Sequence, residues 1–330
     1  HELPVGQRKG EVNTMKKFLS IALALLMVCV MLPVVALAAE KTASTYEELK
    51  SAISTANDGD TIKLLADIDL SQTITVNKTI TLNMNGKKLY NTSDLWDKPT
   101  AEADNWSLIS VRGSGNLTIT GNGTFAAKEN DCYAVDVQES ATVTIKNGTF
   151  IGNIHAVYVF AGTANVEGGT YSVQQKYPDP AKGDEFVLNC YDANRANGTA
   201  RINVTGGTFK NFNPADNKAE GEGNNFADNS LVVQKNNTVQ NNDYYVGNAA
   251  NEVIAAASKG EEIFVLNGTT LTNVPAGVII QNRTGDRITV NGKDVELTGD
   301  AGYTVPASNI TIIVPGDTPP AETPKTEDQK

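Results

Sequence analysis

Between Asn116 and Phe209 the chain repeats one pattern of apolar and polar positions four times: Leu117-Thr-Ile-Thr-Gly-Asn-Gly-Thr-Phe125, Val143-Thr-Ile-Lys-Asn-Gly-Thr-Phe150, Ala164-Asn-Val-Glu-Gly-Gly-Thr-Tyr171 and Ile202-Asn-Val-Thr-Gly-Gly-Thr-Phe209. The strict alternation in each copy predicts a short strand with one buried face. A tight turn on Gly or Asn-Gly follows, then Thr and an aromatic residue. Threonines 124, 149, 170 and 208 are 25, 21 and 38 residues apart, a spacing at which one supersecondary unit stacks on the next. The apolar residues then form three columns: Leu117, Val143, Ala164 and Ile202; Ile119, Ile145, Val166 and Val204; and Phe125, Phe150, Tyr171 and Phe209. A hairpin meander has no need for the same residue type to recur a full repeat later. A coil of strands does, because equivalent positions on successive turns lie about 4.8 Å apart.

A second ladder precedes these strands. Its inward pairs are Ile109 and Val111, Val135 and Val137, Val157 and Val159, Val187 and Asn189, and Leu231 and Val233. Each turn therefore carries roughly three strands, and hexapeptide repeats are absent. The expectation is an all-β chain folded as a right-handed parallel β-helix solenoid. Asn-Gly pairs at 85, 122, 147, 197, 267 and 291 suit the sharp corners of such a coil, since both residues tolerate a left-handed backbone.

The flanks read differently. Met15-Lys-Lys, the apolar run Phe18–Leu32, Pro33 and the Ala36-Leu-Ala38 end have the layout of a secretory signal peptide over 15–38. Residues 1–14 precede that Met and read as a translated leader. Thr45 to Gly59 predicts an amphipathic helix capped by Thr45 and Glu48, with Leu49, Ala52, Ile53 and Ala56 as its apolar stripe. This helix is expected to lid one end of the β-helix, which spans 45–245. Residues 246–297 repeat the opening, with Ala250, Val253, Ile254 and Ala257 in place of that stripe. The 246–314 segment is thus read as a C-terminal cap of helix plus strands, or as the start of a second β-helix module. The Pro- and Thr-rich end, 315–330, is expected to be an extended linker.

Charge narrows the partners. The 330 residues carry a net charge of −11. Without residues 1–38 there remain 23 basic and 36 acidic side chains, a net charge of −13. Such a surface repels phosphate backbones, which excludes nucleic acid. Cys132 and Cys190, the cysteines left after signal removal, fall two coils apart, too far to bridge.

The repeats, with Gly59-Asp-Thr-Ile62 and Thr79-Ile-Thr-Leu82, resemble right-handed β-helix proteins of the pectate-lyase-like superfamily. More narrowly, the chain is similar to secreted surface proteins of gut Firmicutes that carry Gly-Gly-Thr-Phe repeats. The resemblance implies fold more than activity, since this superfold carries lyases, hydrolases, isomerases, adhesins and phage spikes. Lyases of the superfamily need clustered carboxylates and a basic proton acceptor, and its hydrolases need paired carboxylates.

The excursions Asn91–Trp106, Ala126–Cys132, Gln174–Glu185 and Asn211–Asn229 all fall between the third strand and the next ladder strand. Stacked insertions of this kind share one face, often the binding face. They hold Trp96, Trp106, Tyr177, Phe212 and Phe226, aromatic platforms suited to sugar rings. The neighbouring strands present outward Ser110, Asp136, Tyr158, Leu188 and Val232 in one column, and Arg112, Gln138, Phe160, Cys190 and Gln234 in the other. Asp136 stands as a single aspartate whose simplest meaning is an exposed ion pair with Arg112, and His155 begins a strand without a partner triad. Trp96, Trp106, Tyr158, Phe160, Tyr177, Phe212, Phe226 and Asp136 are the candidate ligand-binding residues. No catalytic residue and no resident cofactor is predicted. Asp179, Asp184 and Glu185 with Asp216 or Asp228 are the carboxylates that would hold calcium. The expected function is a monomeric, secreted, cell-wall-associated protein binding polysaccharide or a host or neighbouring-cell surface glycan, with no membrane span after signal cleavage. A polysaccharide lyase or glycoside hydrolase is the rival, and a structural stalk the third reading.

Overall fold

The structure, a computed structural model, describes residues 38–95, 106–129, 132–175, 186–215, 225–226, 231–235, 242–296, 298–299 and 301–307, together with Lys17. The chain divides into two units, His1–Ala39 and Glu40–Lys330. The leader, most of the signal segment and the 315–330 linker lie outside the described residues, and all that follows belongs to the second unit. Among the described residues no helix is long and apolar enough to cross a membrane.

The unit is mostly β. One sheet stacks Glu40–Ala43, Thr61–Leu64, Thr79–Asn83, Asn116–Thr120, Thr142–Ile145, Gly162–Val166, Ala200–Val204 and Asn225–Phe226, every neighbouring pair parallel. A second stacks Ile74–Val76, Ser107–Val111, Tyr133–Val137, Val157–Val159 and Leu188–Cys190, again parallel throughout. The third opens with six parallel strands, Ile68–Asp69, Lys88–Tyr90, Thr124–Ala126, Thr149–Gly152, Thr170–Val173 and Gly207–Lys210. From Ile74 to Lys210 the chain visits the second, first and third sheets in that order, round after round. Long parallel sheets visited this way are compatible with a parallel β-helix.

Register follows the hydrophobic columns. Val143 pairs with Leu117 and Ala164, and Ala164 with Ile202. In the third sheet Phe150 pairs with Phe125 and Tyr171, and Tyr171 with Phe209. Their rings stack at centroid distances of 4.8, 5.1 and 5.1 Å, with interplanar angles of 11–12°. All four side chains are fully buried. The Tyr171 hydroxyl, buried with them, donates to the Gly168 carbonyl at 2.6 Å. The Gly-Gly before the aromatic has two separate causes. A Cβ on Gly206 would sit 2.2 Å from the Glu167 carbonyl oxygen of the preceding turn, and Gly207 turns the corner at φ 125°, a conformation that L side chains avoid.

Helix α1 (Tyr46–Thr55) starts where the capping pattern predicts: Thr45 Oγ1 accepts from the Glu48 amide at 3.2 Å, and Glu48 Oε2 accepts from the Ser44 amide at 2.7 Å. It ends at Thr55, short of Gly59, with Ala56 as its C-cap in an extended conformation (φ −66°, ψ 145°). Leu49, Ala52, Ile53 and Ala56 join the main core.

Three sequence expectations are corrected. The second sheet pairs Val157 with Leu188 and Val159 with Cys190, so Leu188 and Cys190, not Val187 and Asn189, take the inward positions there. Val232–Lys235 leaves the ladder altogether and enters the third sheet antiparallel to Asp243–Val246 and to Glu262–Asn267. Asn225–Phe226, expected inside an excursion, adds a strand to the first sheet in register with Asn203 and Val204.

In the third sheet the direction reverses beyond Lys210. Asp243–Val246 runs antiparallel to Gly207–Lys210, and a second core gathers Leu231, Val233, Ile254, Ile263, Val265 and Ile280, among others. Helix α3 (Asn248–Ala256), which follows the short α2 (Asp192–Ala196), buries Ala250 and Ile254. Its segment keeps a mark of the opening it repeats. Asn85 and Asn291 both adopt φ near +50° (49° and 48°), and their side-chain amides donate to the Leu64 and Val274 carbonyls at 2.9 and 2.8 Å. The strand before the turn differs, since Ile288–Val290 pairs antiparallel with Lys293–Val295.

Phe150 has a ring partner on each side, so Phe150→Ala leaves a cavity bounded by two strands. It should destabilise the fold by about 3–5 kcal/mol, measured by urea unfolding. A loss below about 1 kcal/mol would show that the column is not part of the core.

Candidate functional site

The excursions begin side by side. Asn91 Oδ1 accepts from the Lys128 amide at 2.8 Å, and Gln174 Nε2 donates to the Ala127 carbonyl at 2.5 Å. Lys128 also pairs with Asp94 at 2.6 Å. These bonds tie the starts of three successive excursions together, after the strands of the third sheet and ahead of the second sheet, whose outward face carries the candidate residues.

On that face two columns are fixed by backbone register. Ser110, Asp136, Tyr158 and Asn189 form the first. The amides of Arg112, Gln138, Phe160 and Tyr191 donate to the carbonyls of Val76, Val111, Val137 and Val159 at 2.8–2.9 Å, which aligns them as the second. Tyr191 thus takes the place assigned to Cys190 from sequence, as Asn189 takes that of Leu188. Phe160 and Tyr191 stack at 4.9 Å, 27° apart. With exposures of 39% and 44% they and Leu65 are the most open large apolar side chains among the described residues.

Asp136 is 2% exposed, which corrects the expectation of a solvated ion pair. Its two oxygens accept from Ser110 Oγ and Gln138 Nε2, each at 2.8 Å, and Arg112 Nε donates to Ser110 Oγ at 2.8 Å. A carboxylate taken out of water is tolerated only with such charge-assisted bonds.

Beside it three rings meet. Tyr133, His155 and Tyr158 lie with centroids 5.0–5.4 Å apart, and Phe186 approaches His155 edge-on at 6.3 Å. His155 Nδ1 is 2.8 Å from the Phe186 carbonyl oxygen, and Nε2 is 3.1 Å from Asn189 Nδ2. Burial holds the imidazole neutral, lowering its pKa from 6.5 to about 4. Burial, aided by the charge of Asp94, pushes the Cys132 thiol up to about 12. Cys132 and Cys190 are both buried and form no disulfide, in keeping with their spacing.

The other sequence candidates fall as follows. Trp106 is half-buried at the mouth of the second sheet, its carbonyl accepting from the Tyr133 amide at 2.6 Å. Tyr158 is half-buried in the ring cluster. Phe212 is 1% exposed and packs in the core 6.4 Å from Phe209, so it is no surface platform; it follows Asn211, whose φ is 52°. Phe226 lies in the first sheet by its backbone. Trp96 and Tyr177 lie outside the described residues, as do Asp179, Asp184, Glu185, Asp216 and Asp228. Among the described residues no three His, Cys, Asp or Glu side chains gather as a metal site. Sequence reasoning missed Tyr191, Tyr133 and Asn189 and set His155 aside; the correct register of Val187–Cys190 would have placed Tyr191 beside Phe160.

A groove of about 560 Å³ lies elsewhere, along the Gly turns from Asn147 to Thr208 and the start of α3. No aromatic side chain lines it. Comparisons with protein-family models, with curated proteins and with solved structures find no match.

Because His155 is neutral in the folded protein and its pKa is depressed, the unfolded state takes up the extra proton. The stability it confers is complete above pH 6.5, falls as pH drops, and the loss levels off below about 4. The gap corresponds to about 3 kcal/mol. Between pH 7 and pH 3.5, urea unfolding should show the native protein losing about 3 kcal/mol more than His155→Gln. Equal losses would mean that the imidazole is not held neutral.

Proposed function

We propose that the chain is a secreted, wall-associated protein with a right-handed β-helical body, and that it binds glycan at the Phe160–Tyr191 face. The observation that carries this reading is the open, stacked aromatic pair. Its rings stand in line with Gln138 and Arg112 and beside Tyr158 and Asn189. Sugar rings present apolar C–H faces and hydroxyl edges, and a site of solvent-open aromatic rings with hydrogen-bonding groups at their border matches both. Secretion rests on the 15–38 segment, and wall association on the Pro/Thr-rich 315–330 tail. The right-handed coil is supported by the unchanging order in which the chain visits its parallel sheets and by the rule that parallel crossovers are right-handed.

The secreted chain applied to a glycan array, with and without calcium, should bind without turnover. The double variant Phe160→Ala/Tyr191→Ala should weaken that binding about tenfold or more. Undiminished binding by the variant, or silence across the array, overturns the proposal. Release of unsaturated or reducing sugar overturns it in favour of a lyase or hydrolase.

A further inference from the structure

The six Asn-Gly pairs of the chain share one chemistry, because glycine leaves its amide nitrogen unshielded beside the preceding side chain. That nitrogen can attack the side-chain amide carbon, and the fold sets how readily it does so. At Asn85 the side-chain amide donates to the Leu64 carbonyl at 2.9 Å, and the Gly86 nitrogen donates to the Gly121 carbonyl at 2.6 Å. The Asn291 amide is held at both ends by the Val274 backbone, at 2.8 and 3.0 Å. Asn197 Oδ1 accepts from the Thr199 amide and hydroxyl, while the Gly198 nitrogen donates to the Arg195 carbonyl. Asn147 Oδ1 accepts from the Asn122 backbone amide at 3.1 Å, which ties those two turns to each other. At Asn85, Asn147, Asn197 and Asn291, cyclisation must therefore break a bond to another part of the fold first.

Asn267 differs. It is exposed at the end of the strand Glu262–Asn267, and its Oδ1 accepts from the Gly268 nitrogen itself at 2.8 Å. With a C=O bond of about 1.23 Å, that contact keeps Cγ within about 4 Å of the nitrogen, near the roughly 3–3.5 Å separation of a reactive pair. A turn about the Cβ–Cγ bond exchanges oxygen for carbon as the nitrogen's neighbour. Among the described residues no hydrogen bond from the Asn267 side chain to another element opposes it. The strand ladder is also interrupted here, since its register shifts between Val232 and Val233, opposite this strand end.

We propose that Asn267 is a spontaneous modification site, converting to aspartate and isoaspartate ahead of the other five pairs. The Gly268 nitrogen bonds to Asn267 Cγ, the Cγ–Nδ2 bond breaks, and the proton lost by the Gly268 nitrogen departs with Nδ2 as ammonia. Water then opens the resulting five-membered imide. Opening at one carbonyl gives aspartate; opening at the other routes the backbone through Cβ and Cγ and gives isoaspartate. Either product adds a negative charge at the register partner of Val232, and the second also lengthens the backbone by a methylene at the end of the pairing with Val232–Lys235.

The test needs no variant. The intact secreted protein is held in mildly alkaline buffer, sampled over time and digested in acid, and each Asn-Gly peptide is scored by mass and by enzymatic methylation of isoaspartate. Asn267 should convert about tenfold or more faster than Asn85, Asn197 and Asn291. In urea the six rates should converge, because the local hydrogen bonds that separate them are gone. Earlier conversion at any other pair in the folded protein overturns the proposal, and so does a ranking that urea leaves unchanged.

Discussion

Everything in this structure depends on parallel pairing between strands a full repeat apart. None of the strands from Ile74 to Lys210 closes its hydrogen bonds with its immediate neighbour in sequence. Each must instead find the equivalent strand of the round before, so a shift of one residue anywhere would turn a buried column to solvent. The stacked Phe125, Phe150, Tyr171 and Phe209 rings guard against such a slip, because misalignment would cost ring contacts as well as burial. The close approach at Gly206, where only a hydrogen fits against the preceding turn, adds a steric lock of the same register.

The candidate site is a by-product of that constraint. Register alone brings Arg112, Gln138, Phe160 and Tyr191 into one line from four separate rounds, and Ser110, Asp136, Tyr158 and Asn189 into the next. The two lines then differentiate along their length. At one end a carboxylate is sheltered from solvent and held by hydrogen bonds from Ser110 and Gln138; at the other, aromatic rings lie open to solvent. A neutral imidazole between Tyr133 and Tyr158 joins the two and dictates how an amide on the last strand is oriented.

Much of the fold was legible because alternation and recurrence reinforce each other: Leu117, Ile119 and Phe125 each predict their successors, and those successors pair with them. The misreadings have a common physical origin. Val187-Leu188-Asn189-Cys190 is apolar at three of four positions, so both registers bury hydrophobic side chains and period alone cannot choose between them. Choosing wrongly hid Tyr191 beside Phe160 and turned Asn189 inward. Leu231-Val-Val233 has the same ambiguity, and its segment goes to a different sheet in the opposite direction. Phe212 follows a left-handed Asn211 that no periodicity announces. The burial of Asp136 was hidden for another reason: its partners Ser110 and Gln138 are ordinary surface residue types whose convergence only the third dimension creates.

A stack of like rungs has no intrinsic length, since its last strand offers the next copy the same template as the one before. Here Asp243–Val246 occupies that template running backwards, with Lys210 and Asp243 joined as an ion pair at its rim. Reversed polarity makes it a terminator: an incoming strand of the original sense, from this chain or another molecule, meets an edge already saturated and facing the wrong way. The closure is particular to the third sheet: among the described residues the first ends on the parallel strand Asn225–Phe226, and the second on Leu188–Cys190.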